Sequence, residues 1–169
     1  MGQITKDTWS FIVKSNCLYI CDPSYDYYSL KGIIIKNALP GKYKAIEYFS
    51  NLSYKNKTIG SQFVCIHENY TKLYPSTLYG RKVRCDSYEL GVFDHNYYEK
   101  NGYNVGLFGG CHIYDILENI PYKKGYTTKI IENSGCVAYS NYGEGTLNIY
   151  TANADNKIVG VRIDFSELY

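Results

Sequence analysis

Arg81, Lys82 and Arg84 stand together in the segment Gly80-Arg81-Lys82-Val83-Arg84, bracketed by Tyr74, Tyr79 and Tyr88. Two of the chain's three arginines lie here, although Lys outnumbers Arg fifteen to three. A guanidinium grips phosphate bidentately and stacks on aromatic faces, which an ammonium does not do. Rings and arginines in one stretch match a site for base stacking and phosphate capture. If Val83 points inward on a strand, the two-residue period puts Lys82 and Arg84 on a shared opposite face. The competing reading is a strand face or edge that carries charge only to stay solvated.

A second candidate is Tyr139-Ser140-Asn141-Tyr142-Gly143-Glu144-Gly145. Two glycines around an acid permit a tight turn whose exposed N–H groups and flanking rings can cup an anion or a ribose. An ordinary hairpin connection would need the same glycines. The expected ligand-binding set is Arg81, Lys82, Arg84, Asp86, Tyr88, Tyr139, Ser140, Tyr142 and Glu144. In it Tyr88, Tyr139 and Tyr142 stack, the cations meet phosphate, and Asp86 or Glu144 takes ribose hydroxyls. A third cluster, Asp22-Pro23-Ser24-Tyr25-Asp26-Tyr27-Tyr28, reads either as a patch that brackets a sugar edge or a protein partner, or as a turn capped by Asp22.

Catalysis finds less support. His67, His95 and His112 each have an acid nearby, but no metalloprotease, nucleophile-elbow or phosphate-loop pattern occurs. His67 and Glu68 are adjacent, and neighbours on a strand face opposite ways. The six cysteines form no Cys-x-x-Cys pair, so buried, reduced thiols are expected, with no metal and no cofactor. Cys21 beside Asp22 lacks the positive neighbour that activates a thiol.

The elements that must position these residues are strands. Period-two and β-branched runs predict strands over 9–13, 18–21, 32–36, 42–49, 58–67, 82–86 and 89–93, then a terminal meander over 134–141, 146–152 and 157–165. Residues 32–36 and 42–49 are expected to pair as a hairpin over 37–41. The segments ending at Asp86 and starting at Glu89 are expected to meet at a bend. The last turn of the meander, Asn153-Ala154-Asp155-Asn156, carries residues that tolerate a left-handed, tight conformation. Short helices are expected over 94–100, with Asp94 as N-cap, and over 112–119, stopped by Pro121. The fold class is mainly β with minor α, an antiparallel sandwich or curved sheet with one or two short helices. No repeat or linker interrupts residues 1–169, so a single domain is expected.

Composition bounds the partners. A net charge of +2 is too small for a protein that grips duplex nucleic acid through many phosphates. No run approaches the ~20 apolar residues of a membrane helix, and the first residues carry no signal-peptide pattern. A cytoplasmic protein is expected. The 21 tyrosines suit a binding surface, but they accompany abundant Lys, Asn and Ile, a pattern that A/T-rich codons also produce.

Four ordered segments carry a resemblance: 18–25 (LYICDPSY), 63–70 (FVCIHENY), 83–94 (VRCDSYELGVFD), and 139–145 (YSNYGEG) with the closing strand 157–165. The order resembles a family of small phage and prophage proteins with an Asp-Pro-Cys/Ser-Tyr strand end, a Val-Asp-Ser-Gly-Gln-Ala-Gly-Phe-Phe-Asp block and a Gly-Tyr-Gly-Asp-Gly turn. Tyr88-Glu89-Leu90 replaces Gly-Gln-Ala here, and Glu144 replaces Asp. The resemblance implies a counter-defence protein in the host cytosol. On that reading the partner is a small anionic nucleotide-type ligand, sequestered without catalysis at a site shared within a homo-oligomer. The alternatives are an inhibitor that docks tyrosines on a host defence protein, and a small hydrolase of a nucleotide signal.

Overall fold

The computed structural model describes residues 4–54, 57–106, 110–121, 128–139 and 144–165. Its strands are β1 (Ile4–Val13), β2 (Cys17–Cys21), β3 (Ile33–Lys36), β4 (Gly41–Tyr54), β5 (Lys57–His67), β6 (Thr77–Cys85), β7 (Glu89–Asp94), β8 (Thr128–Ile131), β9 (Gly135–Tyr139), β10 (Gly145–Ala154) and β11 (Lys157–Asp164). The helices are α1 (His95–Asn101) and α2 (His112–Glu118). A six-stranded sheet runs β1-β4-β5-β11-β10-β6, and a five-stranded sheet runs β3-β2-β7-β9-β8. All the strand pairings within both sheets are antiparallel, which makes the expected sandwich.

Alternation along the strands builds the core between the sheets. Phe11, Tyr43, Ala45, Phe63, Cys65, Val83, Leu147 and Ile163 point in from one side, and Leu18, Ile20, Leu90, Val92 and Cys136 from the other. The intervening residues Tyr19, Cys21, Phe93 and Val137 face outward on the five-stranded sheet, where Tyr98 of α1 and Ile113 and Leu117 of α2 cover them. This third layer explains why β2, β7 and β9 are apolar on both faces.

Two expected pairings do not form. Residues 32–36 and 42–49 are not a hairpin: β3 pairs with β2, while β4 pairs with β1 and β5. Each strand has one apolar face, and placing them in different sheets lets Ile33 and Ile35 face Tyr43 and Ala45 across one core. The linking segment crosses between sheets, with Asn37 left-handed at φ 62°, and Ala38 and Leu39 donating N–H bonds to Asn16 O and Ile158 O. The terminal meander is likewise split, with β9 in one sheet and β10 in the other. β10 and β11 do pair, around Asp155 and Asn156 at φ 50° and 63°, the turn chemistry their sequence carries.

α1 begins where expected, yet Asp94 does not cap it. Its carboxylate instead accepts N–H bonds from Lys14 (3.2 Å) and Ser15 (3.1 Å) and the Ser15 hydroxyl, closing the β1–β2 turn.

Candidate functional site at the junction of the two sheets

The chain leaves the six-stranded sheet at Cys85 and enters the other at Glu89, so Asp86-Ser87-Tyr88 forms the predicted bend. Asp22, fully buried at the end of β2, holds it. Its carboxylate accepts from Asp86 N–H, Ser87 N–H and Ser87 Oγ–H, all at 2.6 Å, and from Ser24 N–H at 2.9 Å. The capped-turn reading of Asp22 therefore applies, with the cap extended to a segment 64 residues away. Clamped so, Tyr88 takes a left-handed backbone with φ 65°, uncommon for a bulky residue.

That conformation presents the Tyr88 ring, 41% exposed, to solvent and to Tyr139. The two rings are nearly parallel, 18° apart, with centroids separated by 6.2 Å. The pairing of Glu89 with Tyr139 brings the second ring alongside. Arg84 opposes Thr146, and Cys85 opposes Gly145, so Glu144 follows at the same end.

Asp86 accepts from Arg84 Nε–H at 2.6 Å. A guanidinium has five N–H donors, and among the described residues this is Arg84's one partner. Despite the ion pair, the Asp86 carboxyl is held above its ordinary value, by desolvation and by the Asp22 and Glu144 carboxylates. Arg84 is half-exposed and its charge screened, so desolvation and then the like charges prevail. Burial, with Asp22 next, pushes the Cys85 thiol up to about 12, which keeps it protonated and inert.

Five of the expected ligand residues, Arg84, Asp86, Tyr88, Tyr139 and Glu144, thus converge on this junction. Lys82 is exposed like Arg84, with Val83 buried between them, as the two-residue period requires. Arg81 goes elsewhere: Gly80 at φ 86° interrupts the alternation, and Arg81 lines a separate pocket. Ser140 and Tyr142 lie outside the described residues. Of the bracketing rings, Tyr79 bonds Ile34 O at 3.2 Å and Tyr74 packs on the Arg162 guanidinium, both away from the junction.

The histidines are spread through the fold. His67 Nδ1 accepts from Asn69 N–H and its Nε2 bonds Pro40 O, a loop-fastening role. His95 Nε2 is 2.9 Å from the Tyr27 hydroxyl, and His112 stacks on Tyr103. Among the described residues, no three His, Cys, Asp or Glu side chains are grouped to hold a metal. The six cysteines are free, five of them buried. Among the described residues, no helix is long and apolar enough to cross a membrane.

Sequence reasoning missed two features. Arg162 is buried between the rings of Tyr74 and Tyr150, pairs with Asp164 at 2.9 Å and donates to Pro75 O at 2.6 Å. Leu30, in contrast, is 82% exposed on the loop after β2, next to the 72% exposed Tyr28 that the third cluster already contained. No local pattern distinguishes either case, because each depends on where a distant segment passes.

Comparison with known proteins returns no matching family model, no matching curated protein and no matching solved structure.

Proposed function

We propose that this protein is a non-catalytic binder that sequesters a small nucleotide-derived ligand, a cyclic nucleotide or an ADP-ribose derivative, at the junction of its sheets. The carrying observation is the near-parallel Tyr88–Tyr139 pair at the bend that also carries the Arg84–Asp86 ion pair. Two rings clasping a base need about 6.8 Å, twice the stacking rise of about 3.4 Å. The centroids are 6.2 Å apart, so a small outward movement of the exposed Tyr88 ring admits a base. Stacking contributes about 1–3 kcal/mol per base. Arg84 and Lys82 meet the phosphates, and Asp86 or Glu144 accepts from ribose hydroxyls.

The resemblance to small phage proteins points the proposal toward counter-defence within the host cytosol. One observation supports it: Tyr88, standing where the resembled pattern has its first glycine, has the left-handed backbone that glycine adopts without strain. A second copy closing the open side of the junction would make the site that of a homo-oligomer. A second reading, inhibition of a host defence protein, is favoured by the exposed Tyr28 and Leu30.

Denaturing the purified protein and analysing the supernatant by mass spectrometry tests this reading. An intact nucleotide-type ligand, or one retained after incubation with ADP-ribose and cyclic dinucleotides, is expected. Conversion of those compounds to products would replace the proposal with a hydrolase. Recovery of a host protein with no ligand would replace it with an inhibitor.

A further inference from the structure

Each arginine of the chain has a different environment. Arg84 pairs with Asp86, and Arg162 with Asp164 and the Pro75 carbonyl. Arg81 has no hydrogen-bond or ion-pair partner among the described residues. It instead lines a pocket of about 170 Å³ with Tyr19, Tyr27, Leu30, Gly32 and Ile34.

The walls of this pocket are built and braced. Tyr19 is buried, and its ring lies so close over Gly32 that a Cβ there would sit 2.1 Å from it, so a side chain at residue 32 would have to displace that ring. The Tyr27 ring stands 5.4 Å from that of Tyr19, tilted by 51°. Its hydroxyl is fastened to His95 Nε2. Two edge strands meet here, β6 of one sheet and β3 of the other, joined by the bond from the Tyr79 hydroxyl to Ile34 O. Arg81 therefore reaches the pocket from a fixed neighbour. At the mouth Leu30 is left-handed, at φ 58°, and 82% exposed. A branched apolar residue is disfavoured on both counts, and an occupant beneath it would account for its position.

We propose that the Arg81 pocket is a second binding site, separate from the junction, for a single aromatic ring bearing one oxyanion, a carboxylate or a phosphate. The Tyr27 ring and Ile34 take the faces of the ring over a floor of Tyr19 and Gly32, Leu30 covers it, and the guanidinium fork takes the oxyanion. The volume sets the class. At about 170 Å³ the pocket is below the roughly 300 Å³ at which sites for drug-sized ligands begin, so it holds one ring and excludes a dinucleotide.

Benzoate and phenyl phosphate, with benzyl alcohol as the neutral control, are titrated into the protein and followed by NMR. Saturable binding of at least one anion is expected, weakened about tenfold or more in Arg81→Ala at unchanged melting temperature. Preference for benzoate assigns the ligand to the carboxylates and preference for phenyl phosphate to the phosphate esters. Arg84→Ala is expected to leave these titrations unchanged, which separates this site from the junction. The proposal is overturned if neither anion saturates, if Arg81→Ala binds as wild type does, or if Arg84→Ala abolishes the binding.

Discussion

Asp86 illustrates how neighbours decide what a residue does. Its carboxylate holds the Arg84 guanidinium and its backbone N–H donates to the buried Asp22, yet desolvation and the Asp22 and Glu144 charges disfavour its own ionisation. Its raised folded-state value means that the ionised form is the disfavoured one. The contribution of Asp86 to stability is thus present below its ordinary value of 3.8 and is lost as pH rises through the higher folded value. Asp86→Asn should therefore melt at a higher temperature than wild type at pH 7, and the gap should close as pH falls below that ordinary value. A lower melting temperature at pH 7 would mean that the pair with Arg84 dominates. The tyrosines also sort at this scale. Tyr43 donates to Leu39 O, Tyr79 to Ile34 O and Tyr98 to Tyr25 O, so buried or half-buried phenols fasten loops from within the core. Composition could not separate these from the paired rings of Tyr88 and Tyr139, because a phenol serves both uses equally well.

Among the elements, the strand ends are where distant segments meet. Asp22 follows β2 and organises the β6–β7 bend, and Asp94 ends β7 and closes the β1–β2 turn. Asp22→Ala would leave the backbone N–H groups of Ser24, Asp86 and Ser87 and the Ser87 hydroxyl without their common acceptor. Denaturant unfolding should show a loss of about 3–5 kcal/mol. A loss under about 1 kcal/mol would mean that the bend holds itself. Strand existence was legible because alternation is a local signal, and so was the bend at residues 86–88. Pairing was not legible. Both 32–36 and 42–49 satisfy a hairpin as well as a sandwich, and only the shared core between Ile35 and Tyr43 chooses the sandwich. β8 was missed because its four residues do not alternate: the polar Thr128 and Lys129 are buried along with Ile131.

For the whole molecule, repeated sheet switching gathers chemistry at the junction. The β6–β7 bend and the start of β10 lie at one end, and with them come Arg84, Asp86, Tyr88, Tyr139 and Glu144. The sequence indicated those residues as two separate clusters, and the topology brings them together; Arg81 it sends to a different pocket. Elsewhere, Arg162 fastens the crossover from β5 to β6 across the outer face of the six-stranded sheet, through Pro75 O and the Tyr74 ring. That crossover is required because β11 and β10 lie between the two strands it connects. The junction is proposed to bind a nucleotide through stacked rings and Arg84. Calorimetric titration of ADP-ribose and of a cyclic dinucleotide into wild type and Arg84→Ala tests it most directly. Saturable binding of at least one ligand to wild type is expected, weakened about tenfold or more in the variant at unchanged melting temperature. No binding to wild type, or equal affinity in the two proteins, would contradict it.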